Sequence, residues 1–331
     1  MLRALIIIVV IIGGLIGLSM VASRGGHETY DAQYFTPGPV IGLLKGLSDD
    51  ETQGRGIGTP GAERARDMIE ARMSALEMLT LGNSYRHGFT VEADEAFSDE
   101  ISAGDTVQGV NLIGVVQGSS GSDQLIIVTA HYDHMGLQDG EIFNGADDNA
   151  SGVAAAMAMA QHFSRTRKQP EHTMLFAFVD GEEHGLLGAR AFVETTTLPR
   201  SSLAFNLNLD MMARADTGTL WASGPHHTPA LIPLIEEVSA EAPIDFQIGF
   251  DGTDPEQQDW TELSDHGAFY EAGIPHLYIG VDYHADYHRP TDDFENIDQN
   301  VFLAAVDTAI MVAQRIDAQL DELTTPVAQA Q

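Results

Sequence analysis

Residues 124–180 read QLIIVTAHYDHMGLQDGEIFNGADDNASGVAAAMAMAQHFSRTRKQPEHTMLFAFVD. Gln124–Ala130 is apolar at consecutive positions, the pattern of a strand buried on both faces. Ser151–Phe163 is small, apolar and free of proline, and predicts a buried helix. Thr173–Val179 is again a short apolar run and predicts a strand.

Working outward, Gln108–Val116 precedes these elements as a strand, and Ala204–Leu209 and Ile274–Val281 follow as two more. Apolar residues recur at helical spacing over Gly61–Leu79, Leu231–Ala240 and Val301–Leu323. Strands alternating with helices predict an α/β fold: one large domain with a mixed, mostly parallel central sheet and helices on both faces. Residues 214–230 and 245–262 read as loops, and residues 321–331 as a frayed tail.

In such sheets ligands bind beyond the carboxyl ends of the strands. The acid and histidine clusters of this chain fall at those ends. His131-Tyr132-Asp133 follows the strand Gln124–Ala130; alternate residues of extended chain point the same way, so His131 suits a metal and Asp133 suits orienting its ring. Asp147-Asp148 lies in the glycine-bounded loop NGADDNASG, where Asp148 reads either as a helix cap or as a bridge between two cations. Glu182-Glu183 follows Thr173–Val179, and their diverging side chains suit one to a metal and the other to a water. Asp210 closes Ala204–Leu209, and the stretch DYHADYHRPTDD brings His284, His288 and Asp292 after the last strand. Each cluster alone has an ordinary reading as a cap, a loop or a polar strand end. Their joint occurrence at successive strand ends points to a metal centre.

The composition narrows the choice. The 331 residues carry 49 acidic and 16 basic side chains, a formal net charge of −33. Nucleic-acid binding needs a basic footprint and is excluded. The acid suits a soluble surface, a saline habitat or a mouth that attracts a cationic group; Lys45 and Lys168 are the only lysines. With no cysteine there are no disulfides, and a metal must be held by His, Asp and Glu.

At the N-terminus Arg3 precedes an apolar run, Ala4–Val21, followed by Ser23, Arg24 and two glycines. Residues 1–23 therefore read as a secretory signal or an uncleaved membrane anchor, which places the remaining chain outside the cytoplasm, periplasmic, secreted or tethered. Residues 24–39 read as a linker and residues 40–320 as the main domain.

The segments GRGIGTPGAERA, NLIGVVQG, TAHYDHMG, NGADDNASG, DGEEHGLLGA, NLDM, SDHGAF and YHRPTDD together resemble the M28 family of zinc peptidases, from about Asp49 to about Asp317. The resemblance implies the zinc-exopeptidase fold and two Zn2+ per chain. It makes Asp148 the bridge, gives His131 and Asp210 to one zinc and Glu183 and His288 to the other, and makes Glu182 the general base. Tyr287 becomes a stabiliser of the substrate carbonyl, Asp133 a support for His131, and Asp265, with His266, a support of the site. His134, His184 and His284 match no ligand position. The implied substrate is a peptide with a free amino terminus. A glutaminyl cyclase-like acyl transferase and a non-catalytic binding module are the competing readings, and carboxypeptidase or dipeptidase action a weaker one. Side-chain preference and oligomeric state are not legible.

Overall fold

The computed structural model describes residues 30–93, 96–165 and 169–324. Two compact units are distinguished, Met1–Asp31 and Ala32–Gln331. The expected signal or anchor, residues 1–23, lies outside the described residues, as do 24–29 of the linker. Among the described residues no helix is long and apolar enough to cross a membrane.

The second unit is built on a nine-stranded sheet. In chain order the strands are β1 (Leu79–Thr80), β2 (Arg86–Glu92), β3 (Thr106–Val116), β4 (Leu125–His131), β7 (Thr173–Val179), β8 (Leu203–Leu209), β9 (Thr219–Ser223), β10 (Asp245–Ile248) and β11 (His276–Gly280). A separate hairpin joins β5 (Gly136–Gln138) to β6 (Glu141–Phe143). Across the large sheet the order is β1-β3-β7-β4-β8-β11-β9-β10, with β2 also paired to β3. The central run β7-β4-β8-β11 is parallel throughout. Antiparallel pairing flanks it, at β3–β7 on one side and β11–β9 on the other.

Burial on both faces explains why the central strands are so apolar. Every residue of β7 is buried. Leu175, Ala177 and Val179 share a core with Ala189 and Phe192 of helix α4 (Leu187–Thr195) and with Ala268 and Phe269 of helix α6 (His266–Glu271). The alternate residues Met174, Phe176 and Phe178 are buried too, and alternation turns them to the opposite face. Helix α3 (Gly152–Arg165) packs against β4, β7 and β8 and against α7 (Gln299–Ala318). Its run of alanines lets it lie close to the strands.

Helix α1 (Pro37–Leu47) begins inside the stretch read as linker, with proline in its first turn, where the missing N–H costs nothing. Thr59 caps α2 (Pro60–Ala75), its Oγ1 accepting the Ala62 N–H at 3.3 Å. One correction concerns segments read as loops. Residues 219–223 and 245–248 are the parallel pair β9–β10, too short to announce themselves by period. Residues 320–324 form helix α8, with Leu320 and Leu323 buried, within the helical spacing read over Val301–Leu323. Helix α5 spans Leu231–Glu241.

Candidate metal centre

The residues singled out at strand ends converge beyond the carboxyl edge of the four parallel strands. His131 ends β4, Asp210 follows β8, Glu182 and Glu183 follow β7, and His288 comes from the loop after β11. Asp148 is presented by the irregular turn Ala146–Ser151 ahead of α3, in which the Asp148–Asn149 peptide is cis.

The Asp148 carboxylate is divided between two groups of donors. Its Oδ1 lies 3.3 Å from His131 Nε2, which is 3.3 Å from Asp210 Oδ1. Its Oδ2 lies 3.1 Å from His288 Nε2, which is 3.2 Å from Glu183 Oε2. Donors at about 2.0–2.2 Å from a tetrahedral metal are separated by about 3.3–3.5 Å. Nitrogen and carboxylate oxygen, mutually spaced near that edge, therefore fit a divalent cation on each side of Asp148. Looser groupings also exist: His131, Glu182 and Asp210, and His131, Asp148 and Glu183, each offer atoms within 4.8 Å of one another. Glu182 stands off at 4.0 Å from His131 Nε2, so the shorter approaches define the donor sets and leave Glu182 beside them.

The electrostatics follow from burial against charge. Burial alone would raise the Asp148 carboxyl, but His134, His131 and His288 outweigh it and hold the group well below the usual range. Burial and Asp148 push Glu183 up, yet His134 and His288 bring it to about 2. Burial pushes Glu182 well above the ordinary value; His131 opposes this, while Glu183, Asp210 and Asp265 add to it. The surroundings thus shift these adjacent glutamates in opposite directions.

Around these groups stands a ring of supports. His131 Nδ1 lies 3.2 Å from the Asp133 carbonyl and 3.7 Å from its carboxylate. That carboxylate accepts the Glu182 N–H at 3.2 Å, so Asp133 ties the two strand ends together. Of the Ser264-Asp265-His266 segment, Ser264 touches the donors: its Oγ donates to Asp210 Oδ2 at 2.6 Å. Asp265 is buried beside them, and burial raises its carboxyl to about 8. His266 accepts from Asn208 Nδ2 at 3.4 Å and donates to the Trp260 carbonyl at 2.9 Å. Thr129 and Asn208 continue this polar chain under the sheet edge, Thr129 Oγ1 donating to Asn208 Oδ1 at 2.7 Å.

Several neighbours that the sequence reading named without a role, or did not name, gain one here. Asp292 accepts the N–H of Asp147 and of Asp148, each at 3.0 Å, and so fixes the bridging turn. His134, which matched no ligand position, reaches Glu183 Oε1. His284 pairs with buried Asp147 at 3.2 Å, behind the turn. His184 stacks on Phe97 with centroids 3.8 Å apart. Arg66 and the Tyr132 hydroxyl meet on Asp180 Oδ2 at 3.2 and 2.7 Å, below Glu182.

His131, Asp148, Asp210 and His288 line a cleft open to solvent, whose other walls include Met211, Trp260, Leu263, Tyr278 and Tyr283. Trp260 stacks on Phe250 at 3.8 Å. Tyr287 lines the same cleft, its ring stacked on His288 at 3.9 Å.

A sequence model of peptidase family M28 matches residues 111–313. A probable zinc metalloprotease of Pyrenophora tritici-repentis is 28% identical over 223 residues, covering 57% of this chain and 48% of its own length. A vacuolar membrane protease of Lodderomyces elongisporus is 29% identical over 139 residues, 41% of this chain and 14% of its own. The chain therefore matches less than half the length of these curated relatives. Among solved structures, a glutaminyl cyclase of Porphyromonas gingivalis superposes with a TM-score of 0.68 at 19% identity, over 87% of this chain and 100% of that one. A zinc aminopeptidase of Bacillus subtilis superposes with a TM-score of 0.66 at 14% identity, over 86% and 95%. At these identities the structural likeness speaks for the fold. The family match runs from β3 into α7 and takes in His131, Asp148, Glu182, Glu183, Asp210 and His288; the chain belongs to peptidase family M28.

Proposed function

We propose that this protein is a zinc aminopeptidase that holds two zinc ions and removes the N-terminal residue of peptides. The observation that carries the reading is the division of Asp148, one carboxylate oxygen facing His131 and the other facing His288. His131, Asp148 and Asp210 would hold one ion, and Asp148, Glu183 and His288 the other. When bound, a pair of such ions lowers the pKa of a water and polarises a carbonyl.

The remaining work falls to the chain. Glu182, whose carboxyl is raised by burial, takes the proton of the attacking water and delivers it to the departing amine. Asp133 holds the Glu182 backbone in place for that transfer. Tyr287 faces the cleft, where its hydroxyl supports the substrate carbonyl. The surplus of carboxylates at the cleft end favours a free ammonium terminus over a blocked one.

The test is metal content together with cleavage of matched peptides. Wild-type protein should hold two zinc ions per chain, His288→Ala about one, and Asp148→Asn fewer than one. A free aminoacyl anilide should be cleaved and its N-acetyl counterpart resist. Equal cleavage of the two would discard the aminopeptidase reading. Conversion of an N-terminal glutamine peptide to its cyclised form, with one zinc per chain, would favour acyl transfer, the activity named for the Porphyromonas gingivalis neighbour.

The apolar run at residues 4–21 supports export, with the catalytic domain outside the cytoplasm and residues 1–23 a signal or anchor. Fractionation of expressing cells, with N-terminal sequencing of the product, decides between cleavage and anchoring; cytoplasmic protein with Met1 intact would refute both.

A further inference from the structure

Arg55 is completely buried, and its guanidinium meets backbone carbonyls on every side. Nε donates to Tyr132 O at 2.6 Å. Nη1 donates to Leu47 O at 2.7 Å and to Asn144 O at 2.5 Å. Nη2 donates to Gly145 O at 2.9 Å and, more loosely, to Asp148 O at 3.4 Å. Tyr132 directly follows His131. Asn144, Gly145 and Asp148 belong to the turn that presents the bridging carboxylate. One side chain therefore ties the end of β4 to the Asp148 turn, and ties both to Leu47 at the end of α1.

Neutral amide side chains can bridge carbonyls, so bridging alone does not require a buried charge, which is costly to desolvate. The surroundings supply the reason for one. Burial works against the Arg55 charge, and the acids that do most to favour it are Asp148, Asp133, Asp292 and Glu183. These acids repel one another at short range when no cation lies among them. Arginine stays charged under all ordinary conditions and presents five N–H groups in a fixed plane. Lysine offers three on a flexible stem and cannot reach five carbonyls at once. The chain accepts an unfavourable backbone to place this side chain: Arg55 has φ +55°, following Gln53 and Gly54, which are also left-handed.

We propose that Arg55 is a positioning residue for the metal centre: it clamps the Asp148 turn against the His131 strand end and stands as a permanent cation behind the acids, so that the donor arrangement persists before any metal arrives. The inference rests on the metal reading of the preceding subsection. It makes the site preorganised, with binding energy not spent on ordering the turn.

The experiment compares full-length wild type and Arg55→Lys, each stripped with chelator and titrated with zinc against a chromophoric competitor. Far-UV circular dichroism reports folding, and amide hydrogen exchange of residues 144–149 in the stripped proteins reports order in the turn. Stripped wild type should keep those amides protected. The variant should bind zinc roughly tenfold or more weakly, the range typical of groups that orient metal ligands, and should exchange the turn faster. Substitution with cobalt should give the two proteins different visible spectra, because the donor geometry differs. A variant that folds only when zinc is present also supports the proposal, since the metal then replaces the missing clamp. Equal zinc affinity and equal exchange overturn it. So does a variant that stays unfolded in saturating zinc, because Arg55 is then a residue of the fold. If wild type binds no zinc, the metal reading fails, and the exchange comparison alone judges whether Arg55 orders the turn.

Discussion

His134 Nδ1 lies 2.5 Å from Glu183 Oε1, while Glu183 Oε2 is turned to His288 Nε2 at 3.2 Å. The carboxylate must accept, so the imidazole donates, and the contact locks which oxygen of Glu183 faces the second donor set. His134 thereby does for Glu183 what Asp133 does for His131.

Replacing His134 with alanine should leave Glu183 free to rotate. Zinc at the His288 side should bind roughly 10–100-fold more weakly, the usual cost of losing such a partner. The His131 side should be little affected. Stepwise zinc titration of His134→Ala separates the two, and uniform weakening of both would contradict the assignment.

Glu182→Gln should retain metal content and lose about 10²–10⁴ in kcat, with little change in KM. Glutamine preserves shape and the backbone N–H bond to Asp133, so only proton transfer is removed. A variant with near-normal kcat would move the base elsewhere, with Asp265 the next group to examine.

Acid sensitivity has a source away from the donors. Burial, with His227 adding to it, holds the His276 imidazole down at about 4. Unfolded histidine titrates near 6.5. Between those values the unfolded chain binds a proton that the folded chain refuses, so stability falls as pH drops from about 6.5 to about 4 and is unaffected above. His266 is held low by burial and by His276, in the same sense. Urea unfolding of His276→Gln in chelator should show a pH loss over this window smaller by up to about 3 kcal/mol. Identical pH slopes in the two proteins would remove His276 from the account.

Gly54 should tolerate no side chain. An added Cβ would lie 2.5 Å from Phe143 O and 2.6 Å from Gly136 O, at φ +67°. Gly54→Ala should lose about 2 kcal/mol or more from backbone strain and from displacing the β5–β6 hairpin. Calorimetry should show a lower Tm by several degrees. An unchanged Tm would mean the hairpin yields freely.

The parts of this fold that sequence reveals are those whose burial is uniform. β4, β7 and β8 are covered on both faces and read as continuous apolar runs, and the donors lie at their ends because parallel strands deliver their chain there. Strands β9 and β10 carry only five and four residues, too few for a period to declare itself, although Asp245 and Gln247 are exposed in alternation with buried Phe246 and half-buried Ile248. Supports are harder to see than donors. Arg55 stands in TQGRGIGTP, a glycine-rich stretch in which an arginine is ordinarily solvated. Its burial depends on carbonyls up to 93 residues distant, at Asp148. In SDHGAF the resemblance marks the segment, but which side chain reaches Asp210 is decided by the short helix α6, whose start turns Ser264 toward it.

The donors span His131 to His288, drawn from the ends of four neighbouring strands and the loops that follow them. A growing polypeptide halted between Asp210 and His288 carries every residue of the first donor set and lacks His288 of the second. On the proposed reading, catalysis waits for nearly complete synthesis and for docking of β11, one of the two outer strands of the four. Each copy is then latent until its own last donor has been made.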